Sequence, residues 1–399
     1  MGQTRVSIYC PDRHLSYDGA TPDVQGIGGG ITARVRLAAG LARRGHEVSV
    51  TCNTPRASVV DNVRYVPLDE RRQIDTDILI LHTTGDKLDL RPVRDLPVTS
   101  RLRIVLIDGT IAPRGLHDVG MDCLCACSNF IRQLAIRQWQ VPASKILVSH
   151  HGVERVLFPA DQPAPGLRDP FRIGYATHPS KGLDAAVAVL RLLRRQEPRF
   201  ELHVFGGRRL WGQRDRYRLF GEAGVVFHGL LGQRRLATWL MTCSCTLYLQ
   251  SRLEPFGIAV AEALAAGAVP VASPVGAHPE IIESGRTGFL VEGDAGSSRT
   301  HRQAAEIVRA LALDPAVSAA MRRAARAAPL DWDQVASSWE QYWEWILGQR
   351  VPRQAFATSE VCAECGGKCL LLADGCHCES CGAFRRVNQP APTESAAIS

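Results

Sequence analysis

Long apolar runs are missing from this 399-residue chain. No stretch reaches the roughly 18 residues that a membrane span requires. The longest candidate, Gly257 to Ser273, is broken by Glu262 and Pro270. The N-terminus, Met1-Gly2-Gln3-Thr4-Arg5-Val6, runs straight into a strand-like segment and has no apolar signal core. The expectation is a cytoplasmic chain, with the inner face of a membrane as a peripheral site. Lysine is scarce beside arginine while alanine is abundant, which reads as genomic base composition. A net charge of +7 is modest for this length. Much of it falls between Arg191 and Arg235, where eleven arginines face four acids. That segment is a solvated helix face and loop, or it meets an anionic phosphate or an anionic membrane surface.

A disulfide framework is excluded by the distribution of the thirteen cysteines. Five sit in apolar, strand-like runs, including Cys125, Cys127, Cys243 and Cys245, and six cluster between Cys362 and Cys381. Buried thiols plus a metal-ligand spacing fit a reducing compartment.

Apolar strand-like segments alternate with helical periodicity from the start. Arg5 to Cys10 reads as a strand, Gly26 to Gly30 as a glycine loop, and Ile31 to Arg44 as a helix with Ile31, Val35, Ala38 and Leu41 on one face. Gly45 closes that helix and Glu47 to Thr51 is the next strand. Further buried strands are expected at 77–81, 104–107 and 123–127. A second series follows the proline-rich stretch from Phe158 to Pro165: strands at 171–175, 201–205, 225–227, 245–249 and 269–273, and helices at 182–195 and after Glu254. This alternation predicts parallel β-α-β units with helices on both faces. The segment Trp332 to Leu347 reads as a tryptophan-rich amphipathic helix. The tail from Val387 onward has a disordered composition.

Two glutamates eight residues apart carry the most chemistry. Glu254 and Glu262 flank Pro255-Phe256-Gly257, which reads as a helix start with Pro255 in its first turn, one carboxylate before it and one two turns inside. A rise of about 1.5 Å per residue separates them by roughly 12 Å along the axis. That is about the reach of an extended nucleoside-diphosphate sugar, and each ionised carboxylate accepts from a sugar hydroxyl.

The stretch Ser251-Arg-Leu-Glu-Pro-Phe-Gly-Ile-Ala-Val-Ala-Glu-Ala-Leu-Ala-Ala-Gly267, with Pro270 to Leu290 behind it, resembles the signature of the group 1 (family 4) retaining glycosyltransferases. His150-His-Gly-Val153 with Phe158-Pro159 is similar to that family's interdomain segment, and Lys181-Gly-Leu-Asp184 to its phosphate-lysine segment. Gly28-Gly29-Gly30 resembles its N-terminal glycine loop, and Leu41 to Val48 the helix-to-strand join behind it. The resemblance covers residues 5 to 347 and implies a GT-B fold: α/β, with two Rossmann-like domains facing a cleft. Its parts would be an acceptor domain at 1–160, a nucleotide-sugar domain at 169–330, and a crossover helix at 331–350 packing back on the first domain.

The same resemblance assigns roles. Glu262 would bind the ribose hydroxyls and Glu254 the hydroxyls of the donor sugar. Phe256, Gly257 and Ile258 would offer backbone amides at the helix start, where anions bind well. Lys181 would hold the leaving diphosphate. Gly28, Gly29 and Gly30 would let backbone approach a phosphate or sugar, and Gly276 and Ala277, followed by Glu280, would form a close-approach loop near the donor sugar. Many members carry an arginine five residues before the lysine. Ala176 stands there in this chain, so half of the cationic clamp is absent, with His178, Arg208 and Arg209 as substitutes. On the acceptor side the family often has a histidine at the end of a strand; His82 and Asp108 are the alternatives here. The implied reaction is a retaining transfer of a sugar from a nucleotide-sugar to the hydroxyl of a glycan, lipid-linked or small-molecule acceptor. No acidic pair occupies a family-like position, so no catalytic metal is expected. The alternative is a non-catalytic nucleotide-sugar or glycan-binding protein on this scaffold. A sugar-nucleotide epimerase fits the C-terminal motif less well.

Residues 360–386 resemble a zinc ribbon. Two Cys-x2-Cys-Gly knuckles, Cys362/Cys365 and Cys378/Cys381, lie twelve residues apart, and four thiolates suit a closed structural Zn2+. Cys369, Cys376 and His377 are surplus and could exchange as ligands. Lys368, Arg385 and Arg386 face Glu360, Glu364, Asp374 and Glu379, so nucleic acid is disfavoured. A protein partner or self-association is the expected use of this segment, and residues 387–399 the disordered end.

Overall fold

The computed structural model describes residues 3–84, 88–159, 167–214, 221–348, 357–372, 375–378 and 380–385. Most of the expected proline-rich linker (160–165) and the whole tail (387–399) lie outside the described residues.

The first half contributes strands β1 (Arg5–Tyr9), β2 (Glu47–Cys52), β3 (Ser58–Val60), β4 (Val63–Pro67), β5 (Ile74–Asp75), β6 (Ile78–His82), β7 (Val98–Thr99), β8 (Leu102–Ile107), β9 (Cys123–Ala126) and β10 (Ile146–Val148). Eight of them form one sheet in the order β10-β9-β8-β6-β1-β2-β4-β3, while β5 pairs with β7 apart from it. All neighbours in the large sheet are parallel except β3 and β4. Its helices are α1 (Thr21–Val24), α2 (Gly29–Arg43) and α3 (Asn129–Arg137). The central strands β6 and β9 are buried at every position. That is why they read as unbroken apolar runs: a parallel strand covered on both faces has no polar side to alternate with.

The second half contributes β11 (Asp169–Tyr175), β12 (Glu201–Val204), β13 (Val225–Phe227), β14 (Cys243–Tyr248), β15 (Val269–Ala272) and β16 (Phe289–Leu290). They form a parallel sheet in the order β13-β12-β11-β14-β15-β16. Its helices are α4 (Leu183–Arg194), α5 (Gln233–Thr242), α6 (Ile258–Ala266), α7 (His278–Ile281), α8 (Ser298–Leu313) and α9 (Pro315–Ala327). Helix α6 buries every residue from Val260 to Ala266, because α5, α9 and the sheet enclose it. Its almost wholly apolar sequence follows from that enclosure.

Helix α10 (Trp332–Ile346) returns to the first half. A capping box starts it: the Asp331 side chain accepts from the amide of Gln334, whose side chain accepts from the amide of Asp331. Trp332, Trp339 and Trp343 then pack into the core around the first sheet, and the Trp339 indole donates to Ser149 at 2.9 Å. A Cβ at Gly40 of α2 would stand 3.1 Å from Ala336, so α2 and α10 pack with little between their backbones.

The remaining strands β17 (Ala357–Val361), β18 (Lys368–Leu372), β19 (Gly375–Cys378) and β20 (Phe384–Arg385) make an antiparallel sheet in that order. Leu370 and Leu372 join the core that holds Trp343. A unit this small borrows apolar cover from a larger one.

Candidate functional site

A cleft of about 300 Å³ lies between the two large sheets. The second half lines it with Ala176, His178, Lys181, Trp211, Gln233, Arg252 and Glu254, and with the segment from Pro255 to Val260 followed by Glu262. The first half lines it with Gly28, Gly29, Gly30, Asp108, Ile111 and His151.

The helix start differs from the expectation. Gly257, left-handed at φ +102°, is the N-cap of α6, and the first helical residue is Ile258. Pro255 therefore precedes the helix. Its carbonyl accepts from Ser128 Oγ (2.6 Å) and Cys127 Sγ (3.4 Å) of the first half, which ties the turn across the cleft. Glu262 stands about one turn inside α6 rather than two, so the helical rise does not span all eight residues between the glutamates. Both carboxylates are nonetheless buried, at 8% and 7% exposure, and both line the cleft.

Their electrostatics are opposite. Burial pushes the Glu254 carboxyl up, but Lys181, His278 and Gln250 outweigh it and hold the group below its ordinary value. Lys181 Nζ donates to Glu254 Oε2 at 2.7 Å from the one-turn helix Pro179–Lys181. Among the described residues, Glu262 has no such cation in contact. Burial pushes its carboxyl up to about 7, against the Gln233 hydrogen bond and the more distant Arg36. Gln233 Nε2 donates to Glu262 at 2.6 Å, while its Oε1 accepts from Arg36 Nε of α2 at 2.9 Å. The amide thus links α2, α5 and α6 across the two halves.

His178 lines the cleft with its ring stacked on Trp211 at 3.7 Å. Burial lowers its pKa to about 4, helped by Arg208, Lys181 and Arg252. Arg208 does not line the cleft; Leu210 and Trp211 from the same turn do. The side chain that joins Lys181 there is Arg252, whose guanidinium lies 4.7 Å over the Trp211 ring. Phe256 is almost wholly buried, its ring packed on His150 and His151.

Gly276 and Ala277 do not line the cleft. Gly276, at φ +60°, lies under Glu254, where a Cβ would sit 2.1 Å from the Glu254 carbonyl oxygen, and the Ala277 amide donates to that oxygen at 2.9 Å. The loop shapes the backbone of Glu254 from behind. Glu280 reaches the first half, accepting from the amides of Asn129 (2.8 Å) and Phe130 (2.7 Å) at the start of α3.

On the opposite wall, Gly30 is required by close approach. A Cβ there would lie 2.4 Å from Thr84 Cγ2 and 2.5 Å from Asp108 Oδ2. Gly28 and Gly29 face Leu210 and Ile258 of the second half. Asp108 reaches the cleft, but His82 is fully buried and does not line it. His82 sits behind Asp108, with Nε2 3.0 Å from Oδ2. Its Nδ1 accepts from Arg34 Nε at 3.1 Å, and Arg34 also donates to Tyr17 OH. Since arginine can only donate, the His82 proton lies on Nε2, toward Asp108. Burial raises the Asp108 pKa, but His82 and Arg34 more than offset it, and the carboxyl stays below its ordinary value. His151, held neutral by burial with a pKa of about 4, lines the cleft from this half, as does His14, and sequence reasoning singled out neither for the site. The doublet of His151 with His150 was visible only as part of the interdomain segment.

Away from the cleft, the sulfurs of Cys362, Cys365, Cys378 and Cys381 all lie within 4.8 Å of one another, with contacts of 3.6 Å (362–381) and 3.5 Å (365–378). Tetrahedral Zn–S bonds of about 2.3 Å put sulfurs roughly 3.8 Å apart, so the cluster fits zinc. Amides of Glu364, Gly367 and Cys381 donate to these sulfurs at 3.4 Å, which favours thiolates. Cys369, Cys376 and His377 are not part of that cluster.

Part of the chain matches a known family. Residues 176–328 match the family described as glycosyl transferases group 1. The D-inositol 3-phosphate glycosyltransferase of Streptomyces avermitilis is 41% identical over 121 residues, 30% of this chain and 25% of that protein. The glycogen synthase of Mycobacterium tuberculosis is 28% identical over 242 residues, 58% of this chain and 56% of that protein. The chain thus spans between a quarter and just over half of these curated relatives. In fold it is similar to sucrose-phosphate synthase from Thermosynechococcus elongatus, at TM-score 0.63 and 18% identity over 87% of this chain and all of that one. It is also similar to the Anabaena protein HepE in complex with UDP-glucose, at TM-score 0.61 and 16% identity over 86% of this chain and all of that one.

Proposed function

Starting from a chain that carries a group 1 glycosyl transferase domain on a GT-B scaffold, we propose that it moves a sugar from a nucleotide-sugar donor to a hydroxyl acceptor with retention of anomeric configuration. The observation that carries this reading is the placement of Glu254 and Glu262 on either side of the α6 start, in one cleft, with Lys181 beside the first.

Each group then has a task. Glu262 accepts from the ribose hydroxyls, held in orientation by Gln233. The amides at Gly257 and Ile258, the positive end of α6 and Lys181 receive the diphosphate. Glu254 accepts from the donor sugar. The acceptor enters along Gly30, Asp108 and His151. In the transfer, the bond between the anomeric carbon and the phosphate oxygen breaks. The acceptor oxygen bonds to that carbon on the same face, and its proton passes to the departing phosphate oxygen. The protein supplies position and charge stabilisation. Lys181 leaves Glu254 for the phosphate as charge develops there. Structural zinc in the ribbon supplies folding energy rather than chemistry.

HepE was solved with UDP-glucose, so uridine sugars are the first donors to test, beside GDP and ADP sugars. The test is thermal stabilisation by each donor, followed by proton NMR of the glycoside formed. A donor that stabilises the protein and yields an axial product from an axial donor supports the reading; an inverted product overturns retention. Stabilisation without turnover over a broad acceptor panel favours the non-catalytic binding protein.

A further inference from the structure

The four-cysteine ribbon is docked on its own chain at the joint between the two halves. The Asn129 side chain treats β20, the edge strand of the ribbon, as a neighbouring strand would. Its Nδ2 donates to the Phe384 carbonyl at 2.8 Å, and its Oδ1 accepts from the Phe384 amide at 3.1 Å. The same Nδ2 lies 3.3 Å from Glu280 Oε2 of the second half. Next to it, the buried Arg132 donates through Nε (2.9 Å) and a terminal nitrogen to the carbonyl of Cys381, a cluster cysteine, and pairs with Glu364 at 3.0 Å. His150 Nε2 lies 3.0 Å from Glu280, with the His150 ring edge-on to Phe384 at 4.5 Å and tilted on Phe256 at 5.4 Å.

From that joint a short path leads to the cleft. Glu280 is in α7. The loop before α7 donates the Ala277 amide to the Glu254 carbonyl and lies against the Glu254 backbone at Gly276. On the other flank, Ser128, adjacent to Asn129, donates to the Pro255 carbonyl. Residues 128–130 therefore hold both sides of Glu254, and the ribbon holds residue 129.

We propose that the metal-loaded ribbon is a positioning element of the transfer site, acting through Asn129 and Glu280 on Glu254. Metal in the four-sulfur cluster keeps Cys381 to Phe384 in the turn that offers the Cys381 carbonyl to Arg132 and the Phe384 backbone to Asn129. With the metal gone, a strand pair this short has no core of its own to preserve the turn. Asn129 then loses two of its partners, and the α3 start relaxes from Glu280. The proposal rests on the transferase reading for its effect on turnover, but its structural part stands without it.

The experiment uses the full chain, with and without metal removed by a chelator, and the Asn129→Ala variant in both states. Metal content by mass spectrometry, hydrogen exchange of the segments 128–131 and 275–281, and transfer rate at saturating donor are read in parallel. The expected result is one metal per chain in wild type and variant, because Asn129 is not a ligand. Metal removal from wild type is expected to speed exchange at 128–131 and 275–281 at least tenfold and to lower the rate at saturating donor. Asn129→Ala is expected to do both while metal is retained. The two perturbations should not add, since they cut one path. Unchanged exchange in those segments after metal removal overturns the proposal, as does full additivity. Asn129→Gln should restore neither, because the longer amide cannot keep both Phe384 bonds; restoration overturns the stated geometry. If no donor or acceptor gives turnover in wild type, the transferase reading fails, and the exchange arms still decide the brace.

Discussion

The carboxyl of Glu262, raised to about 7 by burial, makes donor binding a function of pH with a sign that can be worked out. The ordinary value is 4.5, so the gap corresponds to about 3 kcal/mol at about 1.4 kcal/mol per pH unit. Without ligand, the folded protein holds this proton more tightly than the unfolded chain does. Its contribution to stability is complete below pH 4.5 and is lost as pH rises through 7. Glu262→Gln removes that loss. The variant should gain about 2 to 3 kcal/mol over wild type between pH 5 and pH 8.5 in urea unfolding. Binding runs the other way. Ribose hydroxyls donate, so the competent form is the carboxylate, and only about 3% of it is present at pH 5.5. Donor affinity should fall by up to about 30-fold from pH 8.5 to pH 5.5, and binding at neutral pH should release a proton. His151 and His178, with values of about 4, stay neutral across that window and do not compete. An intact nucleotide-sugar is the right probe, because its diphosphate does not titrate there, whereas a free nucleoside diphosphate does. Calorimetry in two buffers of different ionisation enthalpy reads both affinity and proton release. A flat affinity in wild type, or the same slope in Glu262→Gln, refutes the assignment of Glu262 to the ribose.

Three other perturbations test the rest of the cleft. Lys181→Ala leaves the buried Glu254 with Gln250 and His278 but without its ion-pair partner, and should cost about 3 kcal/mol in unfolding free energy as well as weakening donor binding; an unchanged denaturation midpoint would show that the 2.7 Å ion pair is not a native feature. Gly30→Ala forces a methyl to within 2.4 Å of Thr84 and 2.5 Å of Asp108, so it should destabilise by about 1–3 kcal/mol and raise the acceptor KM while leaving donor affinity alone. Trp211→Ala removes the ring that His178 stacks on and Arg252 covers, and a loss of about 1–2 kcal/mol should appear as a roughly tenfold weaker donor Kd in titration, with no change counting against Arg252 as a phosphate partner.

The sequence carried the architecture because the architecture is repetitive. Each buried parallel strand announces itself as an apolar run, and each helix as a 3.6-residue period between two of them. The edges of the sheets were harder. Strands β3, β5, β7 and β10 are two or three residues long and leave no period to count. The second-half wall of the cleft was legible in the Glu254 to Glu262 stretch, because neighbouring residues of one motif line it. The opposite wall was legible only as separate candidates, since Gly30, Asp108 and His151 meet only through the fold. His82 shows the difference: a histidine ending a central strand satisfies the pattern, yet Asp108 and Gly30 fill the space between it and the cleft. The spacing of the four ribbon cysteines identified their metal chemistry, while the docking of the ribbon on α3 could not be read, because Asn129 and Arg132 look like ordinary helix-surface residues.

The missing arginine at Ala176 follows the same logic. Ala176 lines the cleft but is only 9% exposed, packed in the cluster that contains Phe205, Tyr248 and Phe256, so an arginine there would have to displace part of that packing. A positive charge does line the cleft from a segment further along the chain. Arg252 follows β14, and its guanidinium is set over Trp211 while Lys181 lies 5.9 Å from the same ring. A planar ring that receives two cations and a stacked neutral His178 fixes where charge sits before any ligand arrives. Arg252 is two residues before Glu254, so the motif stretch that sets the donor-sugar carboxylate sets the cation as well. In the proposed reading Arg252 is a further candidate for the part of the clamp that Ala176 leaves open. On that reading the cation stands on the β14 side of the cleft, beside the turn that starts α6, and a donor Kd unchanged by Arg252→Ala counts against it.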